Sequence, residues 1–173
     1  TMTFPASFML VAAMNPTPDG KMPDDSRCSP REIQNYLGRI SGPLLDRIDL
    51  HIEVPTVPFD KISGMEAGES SEQIRQRVIA ARNIQLRRFA QSKAIMSNAH
   101  MSSRALKVCC QLDEASLDLM KQAMAHVGLS ARAYDRILKV ARTIADLAQQ
   151  EHIHSDHVME AIQFRELDRQ IWT

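Results

Sequence analysis

The stretch Phe8-Met9-Leu10-Val11-Ala12-Ala13-Met14-Asn15-Pro16 sets seven consecutive apolar residues ahead of an Asn-Pro turn. A short, uninterrupted apolar run predicts a strand buried on both faces, of the kind found in the middle of a parallel sheet. Working outward, Ile48, Leu50, Ile52 and Val54 alternate up to Pro55 and predict a second strand. Two such strands cannot satisfy their own ladder groups and faces. The expectation is therefore a fragment of an α/β sheet whose other strands lie outside this sequence. Between the two runs, Pro16 to Asp25 reads as a Pro-, Asp- and Gly-rich loop. Ser29-Pro30 then starts a helix, with Ser as N-cap and Pro in the first position. It should run over 31–39 with Ile33, Tyr36, Leu37 and Ile40 on one face, and Ser41-Gly42-Pro43 should break it before a short helical turn at Leu44 to Asp46.

Past Pro58 the composition changes. Residues 1–60 are expected to be the α/β part, 61–70 a linker, and 71–173 an all-α bundle. Within the bundle, Ser70 or Ser71 should cap a helix reaching about Phe89, and Asp113 should open another reaching His126. Ser130 should cap a third, with Ile137, Leu138, Ala141, Ile144 and Ala145 inward. Ser155 or Asp156 should cap the last, with Val158, Ala161 and Ile162 inward.

The 173 residues carry 21 Lys+Arg against 21 Asp+Glu, with 44% hydrophobic and 24% charged residues. That balance excludes a disordered chain. No apolar run reaches the ~18–20 residues of a membrane span, and no signal-peptide pattern opens the sequence. Cys28, Cys109 and Cys110 form no CxxC pair, as expected of reduced thiols in a cytoplasmic protein. Net neutrality hides a segregation. Residues 71–107 hold eight basic side chains (among them Arg75, Arg82, Arg87 and Arg88) against Glu72 alone. So basic a segment suits a polyanion or a subunit contact.

Three segments, FPASFMLVAAMNP (4–16), SGPLLDRIDLHIEVP (41–55) and GLSARAYDRILKVARTIADL (128–147), carry a resemblance that covers nearly the whole chain. Together they resemble the second half of an AAA+ ATPase of the magnesium-chelatase-related group, the ComM/YifB competence protein family. The resemblance implies the C-terminal part of a P-loop sheet followed by a helical lid. It implies ATP and Mg2+ as cofactors of the longer parent, with none bound to this fragment alone. It also implies a hexameric ring, with the fragment a monomer or weak dimer, and helicase-like branch migration on DNA during uptake; no membrane partner is expected.

By that resemblance Asn15 is the sensor-1 residue, where an amide can orient the water that attacks a γ-phosphate; the plain alternative is a residue opening an Asn-Pro turn. Arg47 is the arginine finger, since a permanently charged planar fork can neutralise γ-phosphoryl oxygens on a neighbouring subunit. Pairing with Asp46 or Asp49 is the structural alternative, and Arg39 is the second candidate finger. Arg132 is the sensor-2 arginine; a cation opening a helix opposes the helix dipole, which points to a task elsewhere. Arg136 and Lys139 on the same helix read as a solvated face.

The departures are equally specific. Relatives carry a cysteine cluster of the form NPCPCG followed by CxCSP, whereas Thr17, Asp19 and Ser26 stand at three of its positions here and only Cys28 remains. A tetrahedral thiolate site cannot form from one sulfur, and no metal site is expected. His152, His154 and His157 read as a surface loop leading into a helix. There is no GxxxxGK[ST] loop to cradle phosphates and no acidic strand end to hold Mg2+, so this chain alone should not hydrolyse ATP. Two alternatives to the DNA motor remain: a magnesium-chelatase-like metal-insertion chaperone subunit, and a non-enzymatic basic helical DNA-binding module.

Overall fold

A computed structural model describes residues 2, 8–55, 57, 68–92, 95–127 and 129–165. Most of the expected linker, residues 61–67, lies outside the described residues. The chain's own contacts divide it into two compact units, residues 1–41 and 42–173.

The first unit holds a short 3-10 turn, Pro23–Asp25, and helix α1, Pro30–Leu37. Ser29 caps α1 as its sequence predicts. Its hydroxyl accepts from the Glu32 N–H at 3.4 Å while the Glu32 carboxylate accepts from the Ser29 N–H at 2.8 Å. This reciprocal pair satisfies two orphan donors of the first turn. Ile33, Tyr36, Leu37 and Ile40 are all half-buried, the face expected of them.

Neither expected strand forms. Phe8, Met9, Leu10 and Val11 lie in irregular backbone at 62–87% exposure. Residues 48–54 are likewise outside any ladder, with Ile52 65% and Val54 82% exposed and His51 the buried member of the segment. An apolar run becomes a strand only where neighbouring strands take its N–H and C=O groups. Among the described residues no strand offers that, and the one β-type pairing is an isolated parallel bridge between Leu112 and Ile153.

The second unit contains α2 (Gly42–Leu45), α3 (Ser71–Arg88), α4 (Ser103–Cys109), α5 (Glu114–Val127), α6 (Ala131–Leu147) and α7 (Ser155–Gln163), with a 3-10 turn at Asn98–His100. Helix α6 is its centre. It packs against α7, α3, α4 and the 98–100 turn, while α5 packs against α7. The reason is its stripe: Ala133, Ile137, Ala141 and Ala145 recur every fourth residue and are fully inaccessible to solvent. Three alanines in that row let neighbouring helices approach closely, and Ile137 contributes ~1.5–3 kcal/mol by its burial. Met101, Leu106, Met120, Ile153, Val158 and Ala161 close the core around it.

Serine caps precede α1, α3, α4 and α6. Ser70 and Gln73 form a capping box on α3, and Ser130 accepts from the Ala133 N–H at 3.2 Å on α6. The last helix begins at Ser155, one residue earlier than a Ser155 cap would place it and two earlier than an Asp156 cap would. His154 is its N-cap, and its N–H donates to Nδ1 of His157 at 3.0 Å. An imidazole thus takes the part usually played by a carboxylate or amide.

Candidate functional site

Residues 45–51 are seated against the start of α6 and the end of α7 by charge and by backbone hydrogen bonds. Buried Leu45 anchors the end of α2. Beyond it, the Asp46 carboxylate accepts from the Ser130 hydroxyl at 3.4 Å and stands 3.6 Å from Arg132 and 3.8 Å from Arg165. Asp49 pairs with Arg136. The Ile48 carbonyl accepts from Arg165, and the His51 N–H donates to the Phe164 carbonyl at 2.9 Å. Arg136 is therefore an anchor for Asp49 and not part of a solvated face, and the Lys139 ammonium donates to the Ala99 carbonyl at 2.9 Å.

This arrangement decides what Arg47 can do. Both carboxylates that flank it are occupied by arginines from α6 and residue 165. The exposed Arg47 guanidinium donates to the Pro43 carbonyl, and among the described residues it has no acidic partner. Arg132 has a 52% exposed side chain and a long contact to Asp46. An exposed pair of that length contributes little, ~0–1 kcal/mol, so another anion can draw Arg132 away at small cost. Two arginines, one without an acidic partner among the described residues and one weakly held, thus sit in one compact unit.

Asn15 and Arg39 belong to the first unit, and both are exposed. Gly20 adopts φ +79°, and a Cβ built there would lie 3.5 Å from the Asn15 amide nitrogen. Nearby, fully buried Thr17 donates its hydroxyl to Asp19 at 2.7 Å, the Ser26 hydroxyl donates to the same carboxylate at 2.8 Å, and the Arg27 N–H adds a third bond at 3.0 Å. The Thr17 hydroxyl and its fellow donors hold the Asp19 carboxyl well below the usual carboxylate range. Thr17, Ser26 and the Arg27 backbone are thus joined by hydrogen bonds around one carboxylate.

Along α3 the expected nucleic-acid residues divide. Arg75, Arg82 and Arg87 are exposed, and Arg82 only reaches Gln85 at 3.4 Å. Arg88 instead grips the fully buried Asp146 through two bonds, at 2.7 and 2.5 Å, and also reaches Asn98 at 2.9 Å. Asn98 and Arg142 complete the shell around Asp146 at 2.8 and 3.1 Å. The Asp146 hydrogen bonds raise the Arg88 pKa, whereas burial lowers that of Arg142. Sequence reading missed this network; its trace is a charged pair at i, i+4 (Arg142 and Asp146) inside the apolar stripe of α6. Burial pushes the neighbouring Cys110 thiol up to about 12, which leaves it a neutral, inert side chain. Among the described residues no three His, Cys, Asp or Glu side chains gather as a metal site. No described helix is long and apolar enough to cross a membrane.

Comparison with known proteins finds two family models that together cover most of the chain. The family model of the magnesium chelatase subunit ChlI matches residues 1–62, and that of the ChlI C-terminal region matches residues 68–165. The chain belongs to the magnesium chelatase ChlI family. Similar proteins include competence protein ComM of Haemophilus influenzae, 43% identical over 168 residues, which are 96% of this chain and 32% of that protein. YifB of Escherichia coli is 44% identical over 170 residues, 97% of this chain and 33% of its own length. An uncharacterized protein of Mycobacterium bovis is 36% identical over 164 residues, 94% and 32% of the two chains. The chain thus spans about a third of the length of the curated relatives it matches. The α6 helix, with the arginines that hold residues 46–49, falls inside the match to the ChlI C-terminal model.

Proposed function

We infer that this chain is part of an AAA+ ATPase ring motor acting on DNA, and that it supplies arginines to ATP sites shared between subunits. The observation that carries this reading is the state of Arg47: exposed, on a structured segment, with Asp46 and Asp49 both engaged by other arginines. A guanidinium without an acidic partner among the described residues, inside an Asp-Arg-Ile-Asp segment, is suited to an anion from elsewhere. The γ-phosphoryl group of a neighbour's ATP is that anion in a finger mechanism, where such an arginine contributes roughly 10³–10⁵ in rate.

ATP, when bound, supplies the phosphoryl group that water attacks, with Mg2+ neutralising its oxygens. The residues of this chain fit the phosphate end. Arg47 offers a fork for transition-state charge, and Arg132 can leave Asp46 for a nucleotide phosphate, which couples occupancy to the position of α6. Asn15 is assigned to orient the water, with Arg39 the second candidate finger. Mg2+ is assigned to the nucleotide and to residues outside this chain, since among the described residues no acidic cluster suits it. The exposed Arg75, Arg82 and Arg87 suit sequence-independent contact with a DNA backbone, whose affinity falls steeply with salt. The name of one relative, competence protein ComM, accords with DNA uptake.

The test is ATP turnover of a full-length protein carrying this chain. Arg47→Ala should lower kcat by roughly 10²–10⁴ and leave ATP affinity within a few-fold. Arg132→Ala should change nucleotide affinity, or its coupling to DNA, as well as turnover. DNA should stimulate the wild type. Full turnover indifferent to single- and double-stranded DNA would favour the second reading, a metal-insertion chaperone, to which the name of the matched family points.

A further inference from the structure

A cavity of about 620 Å3 opens in the helical unit between the end of α3 and the loop after α6. Arg88 and Arg142 form part of its wall. These two guanidiniums share one carboxylate, Asp146, so the buried cluster holds two permanent positive charges against one negative. Burial lowers the Arg142 pKa against the opposing charge of Asp146, and the charge of Arg88 adds to the lowering. Arg87, also in the wall, is exposed, and its guanidinium has no hydrogen-bonding or ionic partner among the described residues. The one carboxylate on the lining is that of exposed Glu151, whose backbone carbonyl serves Arg142 at 2.7 Å.

Gln149 adds an independent sign. It follows the C-cap of α6 with φ 57°, the left-handed position that glycine fills most readily. The backbone bonds are those of a Schellman turn: the Gln149 N–H donates to the Asp146 carbonyl at 3.1 Å and the Gln150 N–H to that of Ala145 at 2.8 Å. Glycine would make the same turn without strain. Glutamine instead stands in the lining of this cavity and of a second hollow, of about 460 Å3, which shares Ile84, Arg87 and Gln149 with the first. The two hollows run along the last turns of the helix that also bears Arg75 and Arg82.

We propose that this cavity binds a phosphate group, contacted by Arg87 and the Gln149 amide and attracted by the excess charge of the Arg88–Asp146–Arg142 cluster. Guanidinium forks match phosphate oxygens, and a glutamine amide donates without adding charge. The assignment rests on the DNA reading above, which makes the phosphodiester backbone its source; free phosphate shares the same chemistry.

The test is a titration of the 15N-labelled 173-residue chain at constant ionic strength with inorganic phosphate, a 15-mer of thymidine and polyglutamate of matched charge. Backbone signals of residues 149–152 and the Arg87 Nε signal should move with phosphate and with the oligonucleotide. Arg87→Gln should weaken both at least tenfold. Gln149→Gly should weaken them while raising Tm, a pairing that a purely structural glutamine does not give. Should phosphate move these signals and the oligonucleotide leave them still, the site stands as a free-phosphate site and its DNA source is refuted. The proposal is overturned if neither ligand moves them, if both variants titrate as wild type, or if polyglutamate binds as tightly as the oligonucleotide.

Discussion

Asp146 is the residue on which most of the helical unit's polar order converges. It is fully buried and receives bonds from Arg88, Asn98 and Arg142, so its removal leaves two guanidiniums without a counter-charge. Asp146→Ala should cost about 3–5 kcal/mol in urea unfolding, and a loss under 1 kcal/mol would mean that water compensates the cluster. Gln149→Gly should act oppositely, raising stability by ~1 kcal/mol, because the left-handed backbone suits glycine. His157 sets a pH dependence. It is buried, and burial lowers its pKa, with the charge of His154 adding to the shift. The unfolded chain then binds the proton more readily, so stability is complete above about pH 6.5 and falls as pH drops below it. His157→Gln should flatten that part of the curve, as measured by Tm across pH 5–8.

At the scale of elements, α3 is two helices in one. Residues 71–79 are exposed throughout, while Ala81, Gln85 and Phe89 dock against the core. The first half is held by its capping box and its own ladder, which suffice only marginally in water. Amides of 74–80 should therefore exchange at least about a hundredfold faster than those of 137–146, and equal protection would imply contacts that α3 does not make here. The helices were legible in the sequence because their signals are local: Ser29-Pro30, Ser70 with Gln73, and Ser130 state their own starts, and the stripe of α6 states its own face. The strands expected at 8–14 and 48–54 do not form, because a strand depends on partners that its own apolar pattern does not supply. Arg47, Arg132 and Asp46 were legible as motif members, but the exchange of partners among Asp46, Asp49, Arg132, Arg136 and Arg165 spans up to 119 positions and leaves no trace in spacing. Arg88 shows the same limit, since charge composition cannot separate a guanidinium facing solvent from one holding a carboxylate 58 residues away.

For the whole molecule, the proposed ring is a heterologous assembly that closes by rotation, with ATP shared across each contact. With no phosphate-cradling loop in its sequence, the 173-residue chain should sediment as a monomer or weak dimer whether or not ATP is present. A nucleotide-independent hexamer would place the ring contacts in the helical unit itself. In the full-length protein the decisive question is whether Arg47 serves its own subunit or its neighbour's. Arg47→Ala subunits should be mixed with subunits lacking the lysine of the phosphate-binding loop, and ATP turnover followed across the mixing ratio. A finger acting in trans meets an intact site at some interfaces of a mixed ring, so turnover should recover partially and peak at intermediate ratios. If no mixture exceeds the activity of either variant alone, Arg47 acts within its own subunit or only holds the Pro43 turn, and the shared-site mechanism is contradicted.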